Sequence, residues 1–312
     1  MSRNVFRASA YEIKVPATSA NLGPGFDSFA IALEKRDRYI AQVLDEKTLD
    51  IDVVGQGEAE VPKDHRNLVV QSIHKGWEFL GITKKDIPGL ALRALNELPH
   101  GRGLGSSASA IVGGLILART LVVGGSERMS DEDVLDLATE IEGHPDNAAA
   151  AIYGGAVIAW KDQFAQSIKL EISNRISAIA FVPSNTVATN KARKMLPEQI
   201  PFSDAVQNSI NTAILTQALT SRPDLLLPAT EDYLHQNYRK EAMPKSYALM
   251  SKLRAAGVPA FISGAGPTVM AFRVDANIDN ENDLVDLAKV AGEGFAMETL
   301  DISQSGYQVN AI

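Results

Sequence analysis

The sequence predicts a protein of mixed α and β structure. Short segments in which apolar and polar residues alternate are typical of strands, and longer segments with an apolar stripe are typical of helices. In addition, three glycine-rich stretches interrupt these elements, near the start, at one third and near the end of the chain. Because such stretches form shaped loops, they are the places where a functional site is expected.

Composition indicates a soluble globular protein. The chain has 312 residues, of which 45% are hydrophobic and 22% charged. The net charge of −8 argues against general binding to nucleic acid or anionic membranes, although a local site can still accept an anion. The absence of cysteine excludes disulfides and cysteine nucleophiles. The first residues lack a signal-peptide core and no apolar run is long enough to span a membrane, so a cytoplasmic location is expected.

The first predicted strand leads into a shaped loop. Residues 11–15 alternate, and Pro16 is predicted to end the strand. The loop that follows, residues 16–29, contains Asn21 and Asp27 together with apolar residues that an ordinary surface turn would not need. Either these apolar residues anchor a loop that presents Asn21 and Asp27 to a cavity, or the loop is a compact structural one.

The next elements are predicted as two paired strands, a helix and a third strand. Residues 39–44 and 49–54 alternate and are separated by a short turn, which predicts that they pair. Residues 67–80, beginning at Asn67, carry apolar side chains on one helical face. Residues 89–96 alternate again and lead directly to the second glycine-rich stretch.

The stretch from Pro99 to Ser109 is predicted to bind phosphate. Its glycines permit positive φ and close approach of a ligand, and the apolar run that follows, to Leu121, is typical of a buried helix. The start of such a helix favours an anion, and Ser106 or Ser107 is predicted to cap it and also to offer a hydroxyl to a phosphate or to a phosphate-bound metal. The stretch is neither a Walker A loop nor a complete dinucleotide motif, so a tight strand-to-helix turn is the alternative.

A polar segment follows the next predicted helix. Ser130 begins a capping box, and the helix is predicted to run to about Glu142. Four polar residues then lie close together around a glycine and a proline: Glu142, His144, Asp146 and Asn147. They could bind a metal and face a substrate, or form a solvated turn after a helix. Residues 156–160 and 176–183 are predicted as strands of a second sheet.

The C-terminal part contains a basic cluster, two helices and the third glycine-rich stretch. The cluster lies within residues 184–200, where a solvated helix face is the usual explanation. Residues 204–220 and 246–256 are predicted as amphipathic helices. Residues 260–272 are predicted as two strands joined by a glycine loop, which suits a hairpin turn, a bound phosphate or contact with the loop at 99–109.

Together, the three glycine-rich stretches resemble the motifs of the GHMP kinase superfamily. The matching segments are residues 16–29, 99–109 and 263–268. Within the superfamily, the runs Pro-Ala-Thr-Ser-Ala-Asn-Leu-Gly-Pro-Gly-Phe-Asp and Glu-Gly-His-Pro-Asp-Asn-Ala, with Tyr-Arg and Met-Pro further on, are similar to the homoserine kinase family. The resemblance implies an α+β fold. A ribosomal-S5-like N-terminal domain (1–160) would carry the glycine loop, and a ferredoxin-like C-terminal domain (161–312) would pack against it, with the active site between them.

The resemblance implies phosphoryl transfer from Mg-ATP to the side-chain hydroxyl of L-homoserine, in threonine biosynthesis. Such a transfer depends on charge neutralisation and alignment. The implied Mg²⁺ ligands are Ser106 and Glu142, with Glu140 as the alternative carboxylate. Nucleotide contacts are expected from Asn67, Pro99, Gly101, Arg102, Gly103, Leu104, Gly105, Ser106, Ser107, Ala108 and Ser109. A homodimer is left open.

The resemblance also implies a substrate pocket, formed by Asn21, Asp27, His144, Asn147, Arg193, Arg239 and Gly264. Because homoserine is a zwitterion, Asp27 is expected to bind its ammonium group, and Arg193 and Arg239 its carboxylate. The two asparagines are expected to orient the hydroxyl. Asn147 stands where other GHMP kinases have an aspartate proposed as base, and an amide cannot accept a proton at neutral pH. We therefore expect catalysis without a protein base, with the neighbouring Asp146 side chain pointing elsewhere.

Two other functions remain open from the sequence. The first is a GHMP kinase for mevalonate, a phosphorylated mevalonate or a sugar, but such an enzyme would not need the ammonium acceptor that Asp27 provides. The second is a relative that binds ligand without catalysis. Such a protein would be expected to lack a serine of the glycine loop or the metal carboxylate, whereas Ser106, Ser107 and Glu142 are all present.

Overall fold

The computed structural model describes residues 5–274 and 287–312; residues 1–4, part of the segment that lacks a signal-peptide core, lie outside the described residues. The strands are β1 (Tyr11–Ala20), β2 (Phe29–Leu44), β3 (Leu49–Gly55), β4 (Gly89–Asn96), β5 (Ala156–Lys161), β6 (Ala165–Leu170), β7 (Ile176–Pro183), β8 (Ala260–Ile262), β9 (Val269–Val274), β10 (Phe295–Leu300) and β11 (Gln308–Ala311). The helices are α1 (Leu68–Phe79), α2 (Ser106–Leu121), α3 (Gly125–Arg128), α4 (Asp131–Glu142), α5 (Asp146–Tyr153), α6 (Thr189–Arg193), α7 (Phe202–Thr220), α8 (Leu226–Ala229), α9 (Gln236–Arg239) and α10 (Pro244–Ala255). Within the described ranges, none of the helices combines the length and the apolar character that crossing a membrane requires.

The first sheet has seven strands, with the path β11-β1-β2-β4-β3 and with β5 and β6 joined to β2. Strand β2 is 16 residues long, and it pairs with β4 through Arg38–Leu44 and with β5 through Phe29–Ile31. This one strand therefore connects the two parts of the sheet. It also follows directly on the loop that contains Asn21 and Asp27.

Two strand predictions were wrong in detail. Strand β1 continues through Pro16 to Ala20, because a register shift at Pro16 accommodates the missing N–H and the ladder with β2 resumes beyond it. Residues 39–44 and 49–54 do lie in strands, but β2 and β3 do not pair. Strand β4 lies between them, parallel to β3 and reached through the crossover helix α1, as a parallel connection requires.

Helices α1, α2, α4 and α5 pack with this sheet in one apolar core. Asn67 caps α1 by accepting the N–H groups of Val69 and Val70, and Ser130 forms the predicted capping box with Asp133 at the start of α4. Helix α2 is buried along most of its length, as its small apolar residues predict. The glycine loop that precedes α2 is thereby fixed at the edge of a rigid core.

The second sheet is antiparallel and four-stranded, in the order β10-β7-β9-β8. The predicted strand at 176–183 is β7 and belongs to it. The predicted strand at 156–160 is β5 and belongs to the first sheet, so that assignment was wrong. The error arises because β5 pairs with Phe29–Ile31, more than a hundred residues earlier, and alternation along the chain does not indicate such partners. The helices predicted at 204–220 and 246–256 are α7 and α10.

Apolar residues of the two sheets meet in a second core, on which α7 packs. Strands β6 and β11 belong to the seven-stranded sheet although both follow residue 160. The domain boundary after residue 160 stays a prediction, and the first sheet draws strands from both sides of it. The loops between the two sheets form the site described next.

Candidate active site

The three glycine-rich stretches meet at one cavity between the two sheets. Strand β1 and the loop after it form one wall, the loop before α2 forms a second wall, and the turn between β8 and β9 forms a third. Most of the predicted site residues line this cavity: Asn21, Asp27, Gly101, Gly103, Gly105, Ser106, Ser107, Ala108, Glu142, His144, Asn147, Arg193, Arg239 and Gly264. The structure therefore brings the predicted nucleotide and substrate residues together.

Direct hydrogen bonds hold the glycine-rich stretches against one another. The N–H of Thr268 donates to the carbonyl of Arg102 at 3.3 Å. The hydroxyl of Ser263 donates to the carbonyl of Gly103 and lies 2.7 Å from the hydroxyl of Ser19. The predicted contact between the third stretch and the loop at 99–109 is thus confirmed.

Two positions in the loop at 99–109 accept only glycine. Gly103 has φ +76°, and a Cβ there would lie 2.3 Å from the carbonyl oxygen of Ser263. Gly105 has φ +73°, and a Cβ there would lie 1.9 Å from Oγ1 of Thr18. Both the left-handed conformation and the close neighbours exclude a larger residue. The loop is therefore pressed directly onto β1 and onto the turn between β8 and β9.

The start of α2 offers backbone N–H groups and two hydroxyls to the cavity. The helix begins at Ser106 after the left-handed Gly105, so neither Ser106 nor Ser107 is the N-cap, contrary to prediction. The first N–H groups of a helix have no carbonyl partner within it and carry the positive end of the helix dipole. Ser106 and Ser107 both line the cavity. This arrangement suits a phosphate group.

Other residues of the loop shape it from behind. Arg102 turns away from the cavity and donates to two carbonyls, at the end of β7 and just beyond, at 2.9 and 2.8 Å. Leu104 and Pro99 are buried. Ser109 is buried as well, and its hydroxyl lies 3.1 Å from that of Tyr39. The side chains of these predicted nucleotide residues therefore stabilise the loop.

A second cavity extends from the glycine loop toward α1. It shares Gly101, Ser106 and Ser107 with the first cavity, and its further lining includes Val61, Pro62, Asn67, Leu68, Asn96 and His100. The amide of Asn67 caps α1 and donates to the carbonyl of Pro62 at 2.9 Å, so its polar atoms already have partners. Two cavities that share residues at the start of α2 suit a ligand that extends from the glycine loop toward α1.

Glu142 ends α4 within reach of the start of α2. Its Oε2 accepts a hydrogen bond from Oγ of Ser107 at 2.8 Å, and the residue is half-buried. Glu140 instead pairs with Lys75 at 3.1 Å, outside the described wall of the cavity. Hydroxyl and carboxylate oxygens are ligands that Mg²⁺ accepts, so Ser106 and Glu142 fit this ion, with the hydroxyl of Ser107 beside them.

On the other side of the cavity, two of the residues predicted to contact the substrate form an ion pair with each other. The guanidinium nitrogens Nη1 and Nη2 of Arg193 contact the two carboxylate oxygens of Asp27, both at 2.8 Å. These hydrogen bonds raise the pKa of Arg193. The pair remains partly exposed, with 41% of the Arg193 side chain and 31% of the Asp27 side chain accessible, so a ligand can reach it.

Arg239 lies deeper, with 3% of its surface exposed. Its guanidinium donates to the carbonyls of Ala192 and Gly264, at 3.2 and 3.4 Å, and lies over the ring of Phe26. Burial and then the charge of Arg193 lower the pKa of Arg239 to about 10, so it is a cation at neutral pH. Within the described part of the chain, no carboxylate lies at ion-pair distance from it. A buried cation of this kind favours binding of an anion.

Asp146 faces the same cavity as Asn147, which corrects the prediction that its side chain points elsewhere. Both residues lie in the first turn of α5, where successive side chains differ by about 100° and can reach one side together. Oδ1 of Asp146 lies 2.7 Å from Nδ1 of His144. Burial lowers the pKa of His144, but the hydrogen bond and charge of Asp146, with Glu142 and Asp27, raise it overall.

Polar atoms of Asp27, His144 and Asp146 converge in this part of the cavity. One such atom from each residue lies within 4.8 Å of the other two. Two carboxylates at this separation repel each other unless positive charge lies beside them. Arg193 supplies part of that charge at Asp27. The arrangement therefore favours a further cationic group, such as an ammonium.

The two predicted asparagines are held by well-defined partners. Asn21 has φ 72°, and its amide donates to the carbonyl of Gly264 at 3.0 Å and accepts the N–H of Asp27 at 3.1 Å. Asn21 thereby fixes the turn that carries Asp27. Oδ1 of Asn147 accepts a hydrogen bond from Oγ1 of Thr18 at 2.7 Å.

Several further residues belong to the site although the motifs did not single them out as site residues. Phe26 lines the cavity and Thr18 contacts Asn147, and both lie in the first glycine-rich stretch, which is the one signal in the sequence that points to them. His235 is wholly buried and bonds both the carbonyl of Gly23, at 2.9 Å, and Arg239, at 3.4 Å. No pattern around His235 in the sequence indicates this contact.

Comparison with known proteins identifies the family. Residues 67–155 match the family described as GHMP kinases N terminal domain, and residues 215–280 match GHMP kinases C terminal. The chain is 45% identical to a homoserine kinase of Streptomyces avermitilis, over 99% of this chain and 98% of the relative. It is 46% identical to a homoserine kinase of Streptomyces coelicolor, over 99% of this chain and 97% of the relative.

A solved structure agrees with these sequence relatives. The crystal structure of a homoserine kinase from Cytophaga hutchinsonii is similar with a TM-score of 0.82 and 26% identity, covering 97% of this chain and 98% of that chain. The family resemblance and the α+β fold that it implied are thereby confirmed. The chain belongs to the homoserine kinase family of the GHMP kinases.

Proposed function

We propose that this chain transfers the γ-phosphate of ATP to the side-chain hydroxyl of L-homoserine, giving O-phospho-L-homoserine and ADP. The relatives named above, at 45% and 46% identity over nearly the whole chain, are homoserine kinases. We assign the reaction to threonine biosynthesis and to the cytoplasm, with a homodimer as the assembly to be tested.

The observation that carries this proposal is the distribution of charge in the cavity. Arg239 is a buried cation that bonds only neutral groups among the described residues, whereas Asp27 and Asp146 converge a short distance away. A zwitterionic amino acid has the complementary distribution, with its carboxylate toward the arginines and its ammonium toward the two aspartates. Mevalonate and sugars have no ammonium group, so they would leave both aspartates without a cationic partner from the substrate.

The nucleotide is assigned to the opposite side of the cavity. The N–H groups at the start of α2 and the loop from Gly101 to Ser107 would bind the phosphates, and the adjoining cavity beside Asn67 would receive the base. In this arrangement residues before 160 bind the nucleotide, and residues after 161 supply Arg193 and Arg239. The two substrates would then meet near Asn147.

We assign Mg²⁺ to Ser106 and Glu142. When bound, the ion would neutralise phosphate charge and orient the phosphate chain. Glu142 already bonds Ser107, so its carboxylate is held beside the start of α2. The chain's own contribution here is to place oxygen ligands where the phosphates are expected.

Asn147 lines the cavity and is the residue that we assign to the substrate hydroxyl, but an amide cannot take its proton. We infer that the proton passes to the γ-phosphate or to water. Asp146 is the alternative acceptor because it faces the same cavity, although its Oδ1 already bonds His144 and the N–H of Asn147. Asn147→Asp and Asp146→Asn separate these mechanisms in steady-state kinetics. A rate that is unchanged by the first and abolished by the second, in a folded protein, would contradict base-free catalysis.

The experiment that tests the activity is a coupled assay of ADP release with Mg-ATP and one acceptor at a time. L-homoserine, mevalonate and galactose serve as acceptors. We expect turnover with L-homoserine alone. Turnover with mevalonate or galactose but not with L-homoserine would assign another GHMP activity. ATP binding without turnover on any hydroxy amino acid would indicate a protein that binds ligand without catalysis.

A further inference from the structure

We propose that the hydroxyl of Thr18 positions the side-chain amide of Asn147. In this position the amide NH₂ group of Asn147 is available to the reacting oxygens. The inference rests on the proposed homoserine kinase activity and deepens it. It concerns a residue of β1 that does not line the described cavity but reaches a residue that does. Thr18 is thus assigned as a positioning residue, which acts through Asn147.

The position of Thr18 leaves its hydroxyl few alternatives. The residue is fully buried, with 0% of its surface exposed, and Oγ1 lies 2.7 Å from Oδ1 of Asn147. Its backbone N–H donates to the carbonyl of Leu104 at 3.2 Å, and Gly105 packs against its side chain. One residue therefore contacts both the phosphate loop, through its backbone, and the substrate side, through its hydroxyl.

The neighbouring carboxylate determines which end of the amide faces Thr18. Nδ2 of Asn147 lies 3.4 Å from Oδ1 of Asp146, which in its ionised form only accepts hydrogen bonds. A rotated amide would place Oδ1 of Asn147 against that carboxylate oxygen, which is repulsive. The amino group therefore belongs on the Asp146 side and the carbonyl oxygen on the Thr18 side, where the hydroxyl donates to it.

This orientation gives Asn147 a definite chemical role. Oδ1 of Asn147 already accepts a hydrogen bond from Thr18, so the NH₂ group is the part of the amide that can bind the substrates. One N–H of that group points toward Asp146, and the other can donate to the substrate hydroxyl oxygen or to an oxygen of the γ-phosphate. Asn147 then acts as a hydrogen-bond donor that aligns the acceptor, in agreement with a reaction that uses no protein base.

The test compares Thr18→Val, Thr18→Ala and Thr18→Ser in steady-state kinetics with L-homoserine and ATP. The valine variant should lower kcat by about ten- to a hundredfold, because an amide free to rotate misaligns the reacting oxygen. The KM for ATP should hardly change, since the backbone bond to Leu104 does not depend on the side chain. The serine variant keeps the hydroxyl and should retain most of the activity. The alanine variant tests the same loss of hydroxyl if valine proves too large to fold.

A matched control and a double variant distinguish positioning from a structural role. Thr139 is also a buried threonine, but its hydroxyl donates to Leu135 within its own helix, so Thr139→Val should keep wild-type kcat. In an Asn147→Ala background, Thr18→Val should cause no further loss of kcat, because the group it positions is absent. Additive losses, equal losses in the serine and valine variants, or full activity of the valine and alanine variants would overturn the proposal.

A spectroscopic readout separates this inference from the proposed activity. In ¹H–¹⁵N spectra, the side-chain NH₂ resonances of Asn147, assigned by their absence in Asn147→Ala, should shift in Thr18→Val and stay in place in Thr18→Ser. If the wild-type chain fails to phosphorylate L-homoserine, the proposed activity is wrong, and the spectra still decide the role of Thr18. Unchanged resonances in Thr18→Val would show that the hydroxyl does not hold the amide.

Discussion

On the glycine-loop side of the cavity the groups that face a ligand come largely from the backbone, whereas on the proposed substrate side they are charged side chains. The loop before α2 offers N–H groups and hydroxyls, and its one arginine, Arg102, turns away to bond two carbonyls. The opposite side contains two arginines and two aspartates. One cavity thus presents two different kinds of binding group.

This difference follows from the shapes of the two proposed ligands. Phosphates present many equivalent oxygens, which a row of N–H groups and a helix dipole can bind without an opposite side-chain charge. A small amino acid presents two opposite charges a few bonds apart, so recognition needs two opposite charges at fixed positions. Variants on the substrate side should therefore change affinity most, and variants in the loop should change turnover or stability.

The largest effect is expected for Arg239→Leu. The variant removes the more deeply buried of the two cations proposed to bind the substrate carboxylate, so kcat/KM for L-homoserine should fall about a thousandfold, equivalent to about 4 kcal/mol. The KM for ATP should stay near its original value. Steady-state kinetics with each substrate varied in turn provides the measurement.

Arg254→Leu is the matched control for this loss. Arg254 is another largely buried arginine, which donates to Thr230, Ala260 and Leu227 outside the cavity. The variant should lower the unfolding temperature and leave the KM for L-homoserine nearly unchanged. Equal losses of homoserine affinity in Arg239→Leu and Arg254→Leu would mean that the effect is structural and that the carboxylate binds elsewhere.

A smaller loss is expected for Ser106→Ala, this time mainly in kcat. Removing the hydroxyl that we propose as a Mg²⁺ ligand should slow turnover by about a hundredfold while homoserine binding changes little. Ser107→Ala provides the comparison because that hydroxyl bonds Glu142. A larger loss of kcat in Ser107→Ala than in Ser106→Ala would show that Ser107, and not Ser106, is the serine that acts in turnover.

Glu142→Ala should mainly change the dependence on metal. Without this carboxylate, the Mg²⁺ concentration that gives half-maximal activity should rise by about tenfold, measured by titrating MgCl₂ at fixed ATP. Glu140→Ala is the control, since Glu140 pairs with Lys75 on the outside of the helices. A rise in the required Mg²⁺ concentration with Glu140→Ala, and none with Glu142→Ala, would show that Glu140 binds the metal and that the assignment to Glu142 is wrong.

The smallest effect on catalysis is expected for Arg102→Ala. Its two hydrogen bonds to carbonyls near the end of β7 would be lost, so the free energy of unfolding should fall by about 1–2 kcal/mol. The KM for ATP should change little because the guanidinium faces away from the cavity. Urea unfolding and ATP kinetics measure the two quantities. A large rise in the KM for ATP with unchanged stability would show that Arg102 turns to bind phosphate.

The parts of the fold that local chemistry determines could be predicted from the sequence. Asn67 and Ser130 cap their helices as expected, and the glycine loop lies between a strand and a helix. Strand partners could not be predicted in the same way, because pairing depends on residues far apart. For this reason β3 was predicted to pair with β2, whereas it pairs with β4, and β5 was predicted to belong to the second sheet, whereas it belongs to the first.

At the site, residue identities could be predicted better than side-chain directions. The family motifs led to Asp27, Arg193 and Arg239, but no sequence pattern indicates that Arg193 and Asp27 bind each other. Asp146 was expected to point away because it adjoins Asn147, yet the first turn of a helix lets both face one side. The Thr18 contact was missed because it joins residues 129 positions apart.

The pairing of the last strand, β11, determines how the molecule is expected to unfold. After β6 the chain leaves the seven-stranded sheet, builds the second sheet and then returns as β11, which pairs with β1 from Lys14 to Tyr11. A single proteolytic nick between β6 and β11 would therefore leave two fragments that share one sheet, neither of them complete. Melting should accordingly be a single cooperative transition, and fragments expressed separately should need each other in order to fold.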